Sequence, residues 1–278
     1  MSPIHFRTAS LDDLDTMLDW AAAEGWNPGL DDAKAFYSAD PAGFFVAEID
    51  GHPIAAISVV NHSPDFAFLG FYICAPGYRG QGIGLALWKH ALEHAGTRTV
   101  GLDGVADQEA NYARSGFVRT GATLRFEGSL PGKPDASARP VTEQDRSALA
   151  RLDIEANDVK RPRFLTSWIN DTANRHSLVL EDAGQITGFA TLRRCRNGAK
   201  VGPVVARDAA AALRLVQAGL TFMPAAPVII DLPDSNTDLI GILTDLGFQE
   251  TFATARMYRG TPPKPSVILQ AIASMELG

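Results

Sequence analysis

Apolar positions near the start of the chain recur with two different periods, and each period predicts an element. Residues 11–20 (LDDLDTMLDW) carry one apolar stripe at helical spacing, and Thr8 or Ser10 can cap that helix. The stripe consists of Leu11, Leu14, Met17 and Leu18. Further on, FFVAEID and GHPIAAISVV (44–60) flank Asp50-Gly51, which predicts a β-hairpin. Helices and strands are therefore mixed from the start.

The remainder of the first half continues this mixture. FAFLGFYIC (66–74) predicts a strand, YRGQGIG (78–84) a loop, and LALWKHALEHA a helix that ends near residue 95. A strand (99–105), a helix (107–115) and a last strand pair follow. The pattern predicts an α+β (mixed α/β) fold.

The pattern also repeats itself. Gly116-Phe117 recurs 131 residues later at Gly247-Phe248, and Gly51 recurs 133 residues later at Gly184. A nearly constant offset through separate segments predicts two homologous domains, 1–130 and 138–278. The stretch between them, SLPGKPDASA, has the Pro, Gly and Ser content of an exposed linker.

Composition and charge exclude several function classes. The chain has 278 residues and a formal net charge of −7, which argues against a nucleic-acid partner. No apolar run approaches the length of a membrane span, and no basic and apolar leader opens the sequence. The two cysteines and six histidines form no metal-ligand spacing. We expect a cytoplasmic protein without metal and without a membrane partner.

The loop at 78–84 predicts an anion site. Glycines let a ligand approach the main chain, and a loop that opens a helix presents unpaired amides to a phosphate. A tight turn that uses glycine only for its backbone angles is the alternative. The glycine spacing fits neither the dinucleotide fingerprint G-x-G-x-x-G nor the P-loop.

The loop does fit R/Q-x-x-G-x-G/A, with Arg79, Gly82 and Gly84 in place. Together with the downstream Tyr112-x-x-x-Gly-Phe segment, it resembles the GNAT superfamily of acyl-CoA-dependent N-acyltransferases over residues 1–128. The whole chain is similar to a tandem-GNAT subfamily with a degenerate second domain. The resemblance implies two GNAT-like domains, each a mixed and mostly antiparallel sheet flanked by helices.

The resemblance also implies the roles of the cofactor-binding residues. The pyrophosphate of acetyl-CoA, the cosubstrate, would lie on the amides of Arg79, Gly80, Gln81, Gly82, Ile83 and Gly84. Its pantetheine arm would run along Ile73 and Cys74, with the Cys74 amide polarising the thioester carbonyl. Asn111 would hydrogen-bond that arm, and Tyr112 would donate a proton to the departing thiolate. The Cys74 thiol is expected to be a packed bystander, with a covalent acetyl-cysteine as the alternative.

The acceptor side is less well defined by the sequence. Glu24 and Asp103 are candidates for the general base, although both can equally be surface or structural acids. Trp26, Asn27 and Tyr72 are candidates for the acceptor pocket, with core packing as the alternative for the two aromatic residues.

The second half departs from the family pattern at the cofactor loop. Ala209–Ala212 replace the glycines, and Leu243 rather than a tyrosine stands at the matching place before Gly247, so we expect this half to bind no CoA. It would instead cover the acceptor cleft of the first half, lending groups such as Arg193 or Asp231.

These features together predict an N-acetyltransferase that moves acetyl from acetyl-CoA to a primary amine of a small molecule by direct attack in a ternary complex. Acetylation of a protein N-terminus or lysine is one alternative, and a non-catalytic acyl-CoA sensor is another. We expect a monomer or a homodimer.

Overall fold

The structure, a computed structural model, describes residues 3–278, in which one order of elements occurs twice. The first half contains β1 (His5–Thr8), α1 (Leu11–Ala23), α2 (Asp32–Ala39), β2 (Phe44–Ile49), β3 (His52–Asn61), β4 (Phe66–Cys74), α3 (Ile83–Glu93), β5 (Thr99–Gly104), α4 (Glu109–Arg114) and β6 (Val118–Gly128). The second half contains β7 (Ala138–Pro140), α5 (Arg146–Asn157), α6 (Pro162–Trp168), β8 (Arg175–Asp182), β9 (Gln185–Arg194), β10 (Ala199–Ala206), α7 (Ala209–Phe222), β11 (Val228–Pro233), α8 (Thr237–Asp245), β12 (Gln249–Arg259) and β13 (Leu269–Ala271).

The predicted repeat extends to individual ion pairs at the start of each half. In both halves an arginine of the first strand bridges an aspartate at the next helix start and a glutamate of the first hairpin, at 2.6–2.9 Å. The aspartate also completes a capping box, with Ser10 in the first half and Thr142 in the second. The sets are Arg7, Asp13 and Glu48, and Arg139, Asp145 and Glu181. The repeat is therefore structural as well as sequential.

The predicted hairpin is confirmed, and its turn is repeated. Asp50 and Gly51 have φ of 50° and 78°, the left-handed pair that a two-residue turn between twisted strands requires. Ala183 and Gly184 adopt 47° and 76° between β8 and β9. The same local geometry thus joins β2 to β3 and β8 to β9.

One long strand of each half, β6 in the first and β12 in the second, lies between strands of the other half. All 13 strands of the described range form one sheet, in which β12 lies between β5 and β6, and β6 lies between β12 and β11. The strand order is β1-β2-β3-β4-β5-β12-β6-β11-β10-β9-β8-β7, with β13 paired to β10. The last strand pair predicted within each half is wrong, because each half supplies one strand and its neighbours come from both halves.

Helices cover both faces of the sheet in the first half. Ile83, Leu87 and Trp88 of α3 are buried on one face, in a cluster with side chains of β2 to β5. On the other face α1 and α2 pack together with α6, where the Phe36 and Trp168 rings stack at 5.5 Å. A helix of the second half thereby completes the core of the first. None of the helices between residues 3 and 278 is long and apolar enough to cross a membrane.

Parallel strands separate at the centre of each half. Pairing of β4 with β5 ends at Leu69 and Leu102, so the strands diverge beyond that point. Pairing of β10 with β11 ends in the same way at Val201 and Ile230. The second gap is filled by β13, which pairs with Val204 and Val205 on one side, while Ile272 donates to the Asp231 carbonyl on the other at 3.0 Å. Only the gap in the first half is left open between its strands.

Candidate active site

A groove of about 550 Å³ occupies the mouth of the open gap. One wall is the end of β4, another is the loop before α3, and a third is formed by the residues after β5. Its lining residues are Glu24, Trp26, Tyr72, Ile73, Cys74, Tyr78, Arg79, Gly80, Gly82, Gly84, Leu85, Val105, Asp107, Gln108 and Asn111. Most of the predicted site residues therefore meet in one place.

The three glycines of the loop have different reasons to be glycine. Gly80 and Gly82 have φ of 75° and 79°, and no atom lies within 4 Å of where a Cβ would stand. A Cβ on Gly84 would lie 2.7 Å from the Tyr72 hydroxyl oxygen. Two of the glycines are therefore left-handed, and the third makes room for Tyr72.

The amides of this loop remain available to a ligand. No described residue accepts a hydrogen bond from the main-chain nitrogens of residues 80–84, and Gly82 has no side chain with which to cap α3. Because the positive end of the helix dipole lies at the same point, the loop favours an anion. In the second half Asp208 caps α7 by accepting from the Ala211 amide at 2.7 Å. A carboxylate there already satisfies the helix that would hold a second phosphate.

Cys74 directs main-chain groups into the gap. The Ala75 amide donates to the Ile54 carbonyl of β3. Because the N–H and C=O groups of successive residues point to alternate edges of a strand, those of Cys74 point away from β3. In agreement, its carbonyl accepts from Arg79 Nε at 2.8 Å. Burial raises the pKa of the Cys74 thiol, which disfavours the thiolate that a covalent route would need. The geometry therefore suits the amide of Cys74 to a role in the groove better than its sulfur.

Tyr112 lines a recess of about 400 Å³ beside the groove. Tyr72 and Asn111 line both the recess and the groove. Its ring stacks on Trp88 at 5.3 Å, and its hydroxyl makes no hydrogen bond to another described residue. Burial, followed by the proximity of Tyr72, raises the pKa of Tyr112, which keeps the phenol protonated. A protonated phenol with an uncommitted hydroxyl can donate a proton.

Comparison with known proteins identifies the family to which this site belongs. The acetyltransferase (GNAT) family model matches residues 11–117, and an acetyltransferase (GNAT) domain model matches residues 149–268. The protein named holothin acyltransferase, of Pseudoalteromonas sp. (strain SANK 73390), is 35% identical over 276 residues, which cover 98% of this chain and 94% of that protein. The chain belongs to the GNAT family of acyltransferases.

Solved structures share the tandem GNAT fold. A proposed acetyltransferase from Pyrococcus horikoshii matches with a TM-score of 0.82 at 20% identity, covering 100% of this chain and 97% of that one. A tandem GNAT protein from the clavulanic acid biosynthesis pathway matches with a TM-score of 0.64 at 19% identity, covering 95% and 100%. The family uses acyl-CoA, and the open groove with its free amides fits such a molecule.

The two acids considered as the GNAT general base are both engaged in ion pairs. Glu24 lines the groove, but one of its carboxylate oxygens contacts the Arg79 guanidinium. Asp103 has a fully buried side chain that accepts from Arg256 of β12 at 2.6 and 2.8 Å and from Thr123 at 3.0 Å. The geometry gives Asp103 a structural part, because it anchors the crossed strand β12 to β5. The base role of either acid stays a prediction.

The loop around Trp26 is fixed by the second half. The Trp26 carbonyl accepts from Lys200 Nζ at 2.8 Å and from Arg125 at 3.1 Å. The Asn27 amide group donates to the Asn197 carbonyl at 2.8 Å, and Asn27 is not part of the groove lining. Sequence reasoning missed Arg125 and Lys200, for which the only signal is a basic residue inside an apolar strand. Trp26 and Tyr72 are at the groove, whereas Asn27 holds the loop from outside it.

The polar groups expected from the second half are also committed elsewhere. Arg193 contacts Asp32, which Arg175 also contacts at 2.8 Å, and both guanidinium groups lie over the Trp168 ring. Asp231 binds Arg125 at 2.7 and 2.9 Å. Both residues hold the two halves of this GNAT protein together rather than face the groove. Among residues 3–278, no group of three or more potential ligands is arranged to hold a metal ion.

Proposed function

We propose that this GNAT protein transfers an acetyl group from acetyl-CoA to a primary amine of a small molecule, by direct attack in a ternary complex. The observation that carries the proposal is the open gap between β4 and β5, with uncommitted amides of residues 80–84 at its mouth. That combination offers one edge for an extended thioester arm and one site for its diphosphate.

The residues around the gap suit the chemical step. The amine nitrogen attacks the thioester carbonyl, forming the C–N bond, and the C–S bond breaks as the amide product is released. The Cys74 amide would stabilise the oxyanion of the tetrahedral intermediate. The Tyr112 hydroxyl would protonate the departing thiolate, which leaves as the thiol. The high pKa of the buried phenol keeps that proton in place until a strong base, the thiolate, forms next to it.

The acceptor side suits a small cation. Glu24 and Asp107 line the groove, and an alkylammonium group is favoured near carboxylates. Lys200 and Arg125 hold the Trp26 loop over the inner end of the groove, which restricts the space for a folded protein substrate. The relative named holothin acyltransferase supports a small-molecule acceptor for this chain too.

The second half is proposed to be a cover without a cofactor of its own. β13 fills its gap, and Asp208 satisfies the amide at the start of α7. Calorimetric titration with acetyl-CoA should therefore give one site per chain. Two sites would contradict this part of the proposal.

A thiol-release assay tests the main proposal. The full chain is incubated with acetyl-CoA and a panel of small primary amines, peptides with free N-termini and peptides with internal lysine, with amine-free reactions as the blank. We expect amine-dependent thiol release and an N-acetylated product by mass spectrometry for small amines. Acetyl-CoA binding without turnover of any acceptor would indicate a sensor, and preferential turnover of peptides would indicate a protein acetyltransferase.

A further inference from the structure

Glu276 is a buried acid that no neighbour neutralises directly. It is 4% exposed, yet its carboxylate forms no hydrogen bond and no ion pair within 4 Å to any residue in the described range 3–278. Its oxygens are nevertheless not sealed from solvent-sized space, since they are absent from the fully enclosed unpaired polar atoms. An unpaired buried carboxylate is costly, so packing alone does not account for it.

The segment 272–278 fixes the position of Glu276 from both sides. Arg193 donates to the Ala273 carbonyl at 2.9 Å, and the Leu277 amide donates to Ser274 Oγ at 3.1 Å. The Glu276 carbonyl lies against Gly70 of β4, where a Cβ would come within 2.1 Å of that oxygen. Gly70 follows the last residue of β4 that pairs with β5, so Glu276 sits at the origin of the open gap.

A cavity of about 30 Å³ separates Glu276 from the groove. It is lined by Trp26, Asp103, Val105, Phe252, Thr254, Met275 and Glu276. Trp26 and Val105 also line the groove, so the two spaces adjoin. The cavity has room for a water molecule, and the buried Thr254 hydroxyl beside it has no partner within the described chain. Two unsatisfied polar groups thus border one small space at the inner end of the groove.

We propose that Glu276 is the general base for the acceptor amine, reached directly or through one water in this cavity. The inference rests on the proposed function. An ammonium acceptor transfers one proton to the Glu276 carboxylate, and the neutral nitrogen then attacks the thioester. The second nitrogen proton leaves to solvent after the C–N bond has formed. The departing thiolate takes its proton from Tyr112, and the resulting phenolate is reprotonated from solvent. The charge of Glu276 also attracts the cationic form of the acceptor to the point where it is deprotonated.

Several charged groups lie near Glu276. Glu276 interacts electrostatically with Arg125 and Lys200, both of which also neighbour the Asp231 carboxylate. Asp103 shares the cavity but is paired with Arg256. The charged groups next to Glu276 are therefore Arg125 of β6, Lys200 of β10 and Asp103 of β5, with Asp231 of β11 as the partner of Arg125 and Arg256 of β12 as the partner of Asp103.

Glu276→Gln in the full chain tests the inference, because it keeps the shape and removes the basic oxygen. With an amine that the wild-type protein acetylates, we expect kcat/KM at pH 7 to fall by about 10²- to 10⁴-fold. Affinity for acetyl-CoA should stay within about twofold of wild type, since the residues proposed to bind it are elsewhere. The deficit should shrink towards pH 9.5, where more of the amine is already neutral. Glu250→Gln, on the exposed end of β12, is the matched control and should behave as wild type.

The outcomes separate the two proposals. A Glu276→Gln variant with wild-type kcat/KM at every pH, or a deficit that does not change with pH, overturns the base assignment while the enzyme assignment stands. A wild-type protein that acetylates no amine overturns both. Should the glutamine variant not fold, Glu276→Asp tests the assignment instead. A shorter side chain displaces the carboxylate from the amine, so we expect kcat/KM to fall at least about tenfold while the wild-type pH profile is retained. An unchanged rate would again overturn the assignment.

Discussion

Replacing Gly82 with alanine should weaken acetyl-CoA binding through the backbone alone. Gly82 has φ of 79°, in the left-handed region, and a Cβ at this position would meet no protein atom within 4 Å. The change therefore introduces no clash with the protein, and its cost is conformational. For an L-residue other than glycine that cost is roughly 1–2 kcal/mol.

This cost translates into affinity if the free loop relaxes and the bound loop does not. Binding must then restore the left-handed conformation, which should raise the dissociation constant about 5- to 30-fold. A methyl group that also touches the diphosphate would add to the loss. Gly77→Ala is the matched control, because Gly77 stands just before the loop, has no left-handed φ and has open space around its Cβ. We expect the control to bind within about twofold of wild type.

Isothermal titration calorimetry with acetyl-CoA measures both variants, with thermal unfolding as the check on folding. Equal affinities for Gly82→Ala and wild type would refute the reasoning that a left-handed residue presents the amides. An equal loss in both variants would show that any side chain in the loop is harmful, which the geometry does not predict.

Three further outcomes are expected. Tyr112→Phe should lower kcat by about 10²- to 10⁴-fold with little change in thermal stability, since the hydroxyl bonds no described residue; unchanged turnover would remove the proton-donor role. Asp103→Asn should lower the free energy of unfolding by about 3–5 kcal/mol in denaturant titrations, because it breaks a buried ion pair. Full stability combined with lost activity would instead make Asp103 a candidate for the general base again. Hydrogen bonding to Arg139 lowers the pKa of Asp145 from 3.8 to about 2, so its stabilisation is present above about pH 4 and lost as the pH falls towards 2. Calorimetric unfolding at pH 5, 3 and 2 should show the melting difference between wild type and Asp145→Asn shrinking, and a constant difference would contradict the linkage.

Local pattern was enough to predict most of the first half. The strand 66–74 and the Asp50-Gly51 turn depend on residues close in sequence, and the structure has both where they were predicted. The anion loop was predicted because glycine spacing is visible without knowledge of the fold. The separate steric reason for each glycine was not predictable, because the contact between Gly84 and Tyr72 joins residues 12 positions apart in the sequence.

Features that depend on distant pairing were not predictable in the same way. β6 and β12 have the same local pattern whether they pair within their own half or across, so the crossing leaves no local signal. Asp103 was considered as a base because Arg256, its partner from the crossed strand, could not be placed. The run VILQAIA (267–273) is the signal that could have predicted β13, because its residues from Leu269 onward are buried and β13 pairs with β10. No local signal places Glu276 at the gap.

The crossing of β6 and β12 makes each half depend on the other for a neighbouring strand. In this chain the β5 edge of the first half is closed by β12 of the second half, so a single repeat unit that kept this arrangement would need the corresponding strand of another copy. The connection at 129–137 makes that encounter intramolecular, with an effective concentration in the millimolar range for a short tether. Severing the backbone there should therefore yield two fragments that co-elute, and this architecture is what fusion of an interlocked homodimer would leave behind.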